Sequence, residues 1–510
     1  MLTILEWSSN GREKKGNFSN KVLATSMALC GMLCVPVQGR AQSTITLQSS
    51  ALPPSENEPT SNILSTPATT PVRLNPQAVD QVDSPFQQLG QAAYNRGIYF
   101  NAYYVGEFAA NPVGGEQQGN AYNGQLRVDT AFDLQKLLGV PGASIHMSFT
   151  DRTGENLSAN KINSDAFVQQ LFGSNETYIL SSLVYVQRLF DKRVEFTAGR
   201  TDLSYNFDHS KFDCLFQSNL NCGNPNGLSK DINNSFYPAP VWGGTLRVKP
   251  TQNIYAMAGV FQVDPTQTNP ATTHGFNFGT GRSTGYTNPV EVGYLWQTPG
   301  AVDYNQYDVG TVMDHSTFSA TTPFGKAFYK PGIIHARTVF YAQAQQLVWQ
   351  PEPNSSRGLW LLGDTMFGAS GSKQEENWQW TTTAVWMGPF ASRPYDYIGF
   401  EFGGEHYNNA FLEALFASRL AEHGTEFPNA WQYSGELNYG LQVTPWLQFL
   451  PNVQWIINPN GLGFSKFTVK NVPSAFVVGF QFTVNIAQLV GIPSGPTDII
   501  GPKDITDVFN

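Results

Sequence analysis

Charge is scarce in this chain. Only 14% of its 510 residues are Asp, Glu, Lys or Arg, against about 25% in ordinary soluble domains. Histidine is scarcer still, with seven copies. No GxSxG or HExxH pattern occurs, so the usual serine-hydrolase and zinc-protease arrangements have no footing. No EF-hand loop or compact acidic cluster offers a calcium site. Beyond the N-terminal segment, no run reaches the ~18 apolar residues a membrane helix needs. No repeat of about 20–50 residues signals a propeller or solenoid. The net charge of −9 argues against a nucleic-acid partner.

What the chain has instead is 13% aromatic residues and 47 glycines, with a mean hydropathy of −0.26. A chain poor in charge yet not helically hydrophobic suits a transmembrane barrel, where apolar and polar positions alternate and average out. The stretch 436–486 shows the pattern best. Phe480, Phe482, Val484 and Ile486 share one face of a period-two run, and Gln481, Thr483 and Asn485 share the other. Such alternation is a β-strand with one apolar and one polar side. In an outer-membrane barrel the apolar side faces lipid and the polar side faces a wet lumen.

Similar runs follow one another from Arg96, bounded by Gly, Pro, Asn or Asp. They are predicted at 96–107, 125–133, 144–152, 178–189, 194–200, 241–249, 254–263, 290–297, 332–342, 358–367, 378–387, 396–406, 431–443, 446–457 and 476–486. The run 411–420 is an ambiguous sixteenth. Connections alternate roughly between short and long, as expected for short periplasmic turns and long outer loops. Trp and Tyr recur near strand ends, at Tyr99, Trp242, Trp378, Trp431 and Trp446 among others, as in interfacial girdles. The fold class is therefore all-β: a transmembrane antiparallel β-barrel of about 16 strands with a polar lumen. The last run has to pair with 96–107, leaving no edge open.

Outside the barrel, 92–486, three segments are expected. Residues 1–41 read as a signal peptide: Lys14, Lys15 and Lys21 precede an apolar run, and Gly39-Arg40-Ala41 offers a cleavage site. Residues 42–91, rich in Ser, Pro, Thr and Gln, read as a disordered periplasmic extension. Residues 487–510 form a C-terminal extension. Cys30 and Cys34 leave with the signal. Cys214 and Cys222 remain in a long insert, 201–238, and export makes a disulfide their leading reading. Two Cys without a nearby His cluster do not make a metal site.

Several segments in order resemble one family. They are Asn111-Pro-Val-Gly-Gly, Asp133-Leu-Gln-Lys-Leu-Leu-Gly, His146-Met-Ser-Phe-Thr-Asp-Arg-Thr-Gly-Glu-Asn-Leu-Ser, and the loop ending Cys222-Gly-Asn-Pro. Further along come Trp242-Gly-Gly, Gly259-Val-Phe-Gln-Val-Asp-Pro265, Gly388-Pro-Phe-Ala-Ser-Arg-Pro-Tyr-Asp396, Thr444-Pro-Trp-Leu and Leu450-Pro-Asn-Val-Gln-Trp-Ile-Ile-Asn-Pro459. Together they resemble the OprB-type carbohydrate-selective porins of Gram-negative outer membranes. The resemblance implies a sixteen-stranded barrel passing glucose and other sugars, isolated as a monomer or a homo-trimer. The tail after Ile486 and the long 42–91 segment depart from that pattern.

A sugar pore needs hydrogen-bonding side chains and a constriction. Arg supplies a fixed fork of donors, and carboxylates accept from hydroxyls. Alternation assigns Arg127, Asp129, Asp133, His146, Arg152, Glu195, Arg247, Lys249, Glu401, Glu405, Glu436 and Asn438 to the lumen, since Arg or Lys on the lipid face costs about 2–4 kcal/mol at mid-bilayer. Arg127, Glu195, Arg200 and Glu401 are the leading constriction candidates, although alternation turns Arg200 outward and puts it near a strand end. The plain alternative is that these charges form inter-strand ladders. Arg393 and Asp396 read as fixing a turn. The expected function is passive, sugar-preferring diffusion of monosaccharides and other small neutral solutes, with no cofactor, no metal and no catalytic residue, and with outer-membrane lipid around the barrel. A general or ion-selective porin is the alternative. An outer-membrane enzyme or adhesin is a further one, with Asp129 and Asp133 as the conceivable carboxylate pair.

Overall fold

The computed structural model describes residues 84–493 and 495, apart from 173–176, 223, 268–272, 323, 330–335 and 463–467, together with the backbone of a short hairpin, Ile63–Thr66 with Thr69–Arg73. The expected signal peptide, most of the 42–91 segment and the end of the C-terminal tail lie outside the described residues.

Sixteen strands close into an antiparallel barrel. They are β1 (Ile98–Val113), β2 (Gly119–Asp133), β3 (Ala143–Gly154), β4 (Thr177–Leu189), β5 (Val194–Thr201), β6 (Val241–Val248), β7 (Ile254–Val263) and β8 (Gly285–Gln297). The circle continues with β9 (Tyr304–Asp314), β10 (Arg337–Trp349), β11 (Gly358–Gly368), β12 (Glu376–Met387), β13 (Tyr397–Tyr407), β14 (Trp431–Thr444), β15 (Leu447–Ile457) and β16 (Ala475–Asn485). Each strand pairs with its sequence neighbour, and β16 pairs with β1 from Phe476↔Val113 to Asn485↔Tyr103. Closure satisfies every ladder without leaving an edge.

Two expectations change. Residues 411–420 are not a strand but part of helix Asn409–Ala421. Its buried Phe411, Leu412 and Leu415 recur at helical spacing. The sixteenth strand is β9, whose alternation is blurred by Gly310 and by apolar Val309 and Val312 on opposite faces. The boundary at 91 also moves. Helix α1 (Pro85–Asn95) begins inside the segment read as disordered, capped by the Ser84 side chain, which accepts from the Phe86 N–H at 3.1 Å. Tyr94 at its end meets Tyr99 of β1 edge-on at 5.1 Å, under the Lys136 ammonium. After β16 the chain makes a helical turn, Ile486–Leu489, and Ile492 and Pro493 lie against Gly90 of α1.

The outward faces are apolar, with exposed Leu126, Val128, Phe149, Phe196, Phe340, Phe400 and Leu437. At the long-loop end an aromatic chain crosses β11 to β14. Phe367 stacks on Trp378, Trp378 meets Trp431, and Trp431 stacks on Tyr433.

The inward faces are polar, but the lumen is far from empty. Residues 155–172 and 202–240 fold into it and carry apolar side chains against inward-facing wall residues. Leu203, Phe207, Leu228 and Ile232 join Tyr255, Phe261, Val339, Tyr341 and Met366 in one cluster. Phe212, Leu215 and Phe216 join Trp360, Val385, Tyr397 and Leu450 in another. Leu157, Ile162 and Val168 pack on Ala109, Ala121, Ile456 and Val477. Burying Phe or Leu side chains is worth roughly 1.5–3 kcal/mol each, so the loops are held as interior structure. Glycine makes room for two of these contacts. A Cβ on Gly293 would strike the Tyr255 ring and one on Gly310 the Tyr341 ring, and these two tyrosines bond to Glu291 at 2.9 and 2.7 Å.

Candidate functional site: the constriction

Residues 202–240 run across the lumen and are fastened along one wall by carboxylates. Glu436 on β14 accepts the backbone N–H of Gln217 and of Ser218 at 2.8–3.0 Å. Glu401 on β13 accepts the Ser218 hydroxyl. Asn438 and Tyr397 each donate to the Leu215 carbonyl at 3.0 Å. The loop carries the Cys214–Cys222 disulfide.

Its short helix α2 (Asn226–Asp231) brings Lys230 to a cluster of three acids. Nζ lies 2.9 Å from Asp165 of the other inward loop, 2.5 Å from Glu376 and 3.6 Å from Glu405. Burial disfavours the ammonium, but Asp165, Glu376 and Glu405 more than offset it and hold its pKa well above the ordinary lysine range. Asp231 accepts the backbone N–H groups of Glu375 and Glu376 at 3.0 and 2.9 Å, yet burial lifts its carboxyl to about 7.

Further round the wall, β2 and β3 meet the end of the loop. Arg127 donates to Asp129 at 2.8 Å, and Ser148 donates to the same carboxylate oxygen at 2.5 Å. Arg152 donates to Gln125 at 2.7 Å. Between the two guanidiniums lies Tyr237 of the loop, with ring centroid 5.1 Å from the Arg127 Cζ and 5.3 Å from the Arg152 Cζ. Its hydroxyl bonds to that of Thr150 at 2.7 Å. Asp129, His146 and Tyr237 keep part of their surface open. The result is a strip in which two largely buried guanidiniums back a partly open carboxylate, imidazole and phenol.

The remaining sequence candidates fall elsewhere. Glu401 and Glu436 face inward but are 0% exposed, as loop anchors. Glu195 is also 0% exposed, held by Arg188 at 2.9 Å and Arg247 at 3.3 Å. Arg247 reaches on to Asn206 of the loop at 2.6 Å, so this pair is a ladder that doubles as an anchor. Asp133 caps a helical turn, accepting from Gln135 N–H and Lys136 N–H. Asp396 accepts from Arg393, Tyr439 and the Gln442 N–H and fixes its turn.

Arg200 does not line the lumen. It pairs with outward Trp242, its guanidinium lies 5.8 Å from that ring and 5.7 Å from Phe278, and it donates to the Pro240 carbonyl at 2.6 Å. Alternation along β5 carries it to the outer side, where Gln267 and Phe278 lie against it. Sequence reasoning missed Tyr237, Gln217, Ser218 and Lys230. Their one signal was the density of Phe and Leu in 203–232, too apolar for an exposed loop.

The carbohydrate-selective porin family, OprB, matches residues 117–486. The chain belongs to this family. Porin B of Pseudomonas aeruginosa is 28% identical over 416 residues, spanning 76% of this chain and 87% of that one. The high-pH structure of Pseudomonas putida OprB superposes with a TM-score of 0.69 at 24% identity, covering 77% of this chain and 95% of that one, and it carries the same fold. This OprB-family porin is thus a sugar-preferring channel of the Gram-negative outer membrane, not an enzyme. Among the described residues, no group of three or more His, Cys, Asp and Glu is arranged to hold a metal ion.

Proposed function

We propose that small sugars such as glucose cross this porin beside residues 202–240, with Arg127, Asp129 and Arg152 on the wall and Tyr237 on the loop forming the narrowest contact. The observation that carries this reading is the flanking of the Tyr237 ring by two guanidiniums, with the Asp129 carboxylate at hydrogen-bond distance from one of them. A sugar hydroxyl both donates and accepts. Guanidinium forks and a carboxylate side by side satisfy both roles without any net transfer of charge. His146, which bonds to Ser144 at 2.8 Å, extends the strip.

Each barrel encloses its own path, so one chain suffices for passage whether the protein is a monomer or a homo-trimer. Native electrophoresis in mild detergent separates the two. In this reading residues 1–41 are removed on export and the following segment faces the periplasm, which N-terminal sequencing of the mature protein tests.

Single-channel recording with glucose titration tests the path. Glucose should reduce the ion current of the wild type, and Arg127→Ala should weaken that block. An unchanged glucose block in Arg127→Ala would remove these residues from the path. Liposome swelling then compares sugars with amino acids of similar size, and equal rates would count against a sugar-tuned constriction.

A further inference from the structure

Beneath the loop, at the wall formed by β8 to β11, lies a group of acceptors with few donors. Asp308 on β9, Gln343 on β10 and Asp364 on β11 occupy one row, as their register places them side by side. Asp208 of the loop comes down onto this row, with its N–H on Glu291 and the preceding Phe207 packed with Tyr341 and Met366, which sets its carboxyl beside that of Asp364. All four side chains are more than nine-tenths buried. Neither oxygen of Asp208 or Asp364 accepts an N–H or O–H donor among the described residues, and neither do Asp308 Oδ1 and Gln343 Oε1. Two buried carboxyls in contact cannot both carry charge. One of them must hold a proton and donate it to the other.

The backbone around Asp208 is built to bring it there. Asp208 has φ of 53°, a left-handed conformation that needs support from its surroundings. Asn224 supplies it, donating to the carbonyls of Phe207 and Asp208 at 2.7 and 2.9 Å. The Asp208 N–H donates to Glu291 at 2.9 Å, and Ser210 donates to Gln345 at 2.6 Å.

We propose that Asp208 and Asp364 form a latch closed by a shared proton: while the proton is held, residues 202–240 stay docked on the wall, and its loss frees this part of the loop and widens the path. The inference concerns regulation of the constriction described above and rests on the path running beside this loop.

The surroundings set the sign. From β8, Glu291 faces Asp208, with its charge already taken up by Tyr255 of β7, Tyr341 of β10 and the Asp208 N–H. From β9 comes Asp308, one of whose oxygens accepts from Gln306 at 2.9 Å. Arg247 of β6, the cation that acts on Glu291, is engaged by Glu195 and Asn206. On the loop itself His209 stands 3.7 Å from Asp213, which adds another acid.

Burial lifts the Asp208 carboxyl well above the ordinary range, and Asp364 beside it adds to the rise. A group whose pKa is raised by docking favours docking when protonated. Docking is therefore strongest below the ordinary carboxylate range and weakens as pH climbs through the raised value. The ratio of released to docked loop grows about tenfold per pH unit while one proton separates the two states.

The test is single-channel recording of the refolded full-length protein between about pH 5 and pH 10, beside Asp208→Asn and Asp364→Asn. Folding of each is checked by heat-modifiable electrophoresis, and either variant alone suffices if the other does not fold. Wild type should pass from a low- to a high-conductance state as pH rises, with trypsin cutting after Lys211 only in the high state. Both variants, in which an amide replaces the proton-sharing carboxyl, should stay in the low state throughout. A wild-type conductance that is flat across the range overturns the latch, and so does an undiminished transition in a folded variant. The glucose block at acid pH should be the same in Asp208→Asn and wild type. Losing the block in Arg127→Ala concerns the path alone, so the two readings fail separately.

Discussion

Glu436 of β14 holds the backbone N–H of Gln217 between its two carboxylate oxygens, each 3.0 Å away. A wall residue that sequence alternation assigns to solute is in fact spent on the loop. Glu436→Ala removes the acceptor of two buried N–H groups, at a cost of about 1–3 kcal/mol for each group left unpaired. The thermal midpoint should fall and the open-channel current should become noisier, while the barrel still shows heat-modifiable migration. A quiet channel with unchanged thermal stability would contradict the anchoring role.

Lys230 should matter more than any single acid around it. Lys230→Met leaves Asp165, Glu376 and Glu405 facing one another without their cation, and removing one partner of a buried ion pair typically costs about 3–5 kcal/mol. Because Lys230 ties both inward loops to the wall, the variant should conduct more and be cut sooner by protease in 155–172 and 202–240. The double change Lys230→Met with Glu376→Gln should recover part of the loss.

The same residue sets an alkaline limit. Its pKa is raised by folding, so its contribution is fully present below the ordinary lysine value of about 10.4 and is lost as pH rises through the higher folded value. Thermal unfolding followed through that range should show a decline that is absent from Lys230→Met. A parallel decline in both proteins would assign the effect to other groups.

Gly293→Ala tests the close approach of ring and backbone. The new Cβ would meet the Tyr255 ring, displacing it from Glu291. Overpacking of this kind costs about 1–3 kcal/mol, and Gly293→Ala combined with Tyr255→Leu should lose less than the two changes summed. Strict additivity in a double-mutant cycle would show that the two positions do not touch.

Sequence patterning made the wall legible and left the lumen obscure, and the residues show why. Alternation at Phe480, Gln481 and Phe482 reports which side of a strand faces lipid, because charge and amide cannot face hydrocarbon cheaply. It turns Arg127, Asp129 and Arg152 inward, and in the structure both guanidiniums lie against Tyr237 of the inward loop. It could not separate Asp129, which keeps an open face, from Glu401 and Glu436, which are sealed under the loop. Both kinds sit on the polar side of a strand, and what distinguishes them is a segment some 200 positions away in the chain. Strand β9 was lost to its glycine and its apolar inward Val312, while residues 411–420 kept a helical spacing that was there to be read. Alternation turned Arg200 outward, as the structure has it; what local pattern does not show is the loop residues that shelter its guanidinium there, Gln267 and Phe278.

The seam between β1 and β16 has a consequence for biogenesis. Phe108 lies against Phe480, and Glu107 sits opposite Gln481, so the first and last strands of the wall are mutual templates. Until the final strand leaves the ribosome and the translocon, the first has no partner on that side, and every shorter chain carries two raw edges ready to pair with a stranger. The chain must therefore reach the membrane whole, kept from pairing on the way. A truncation that removes only β16 should abolish insertion outright, where loss of a single loop would merely alter the channel.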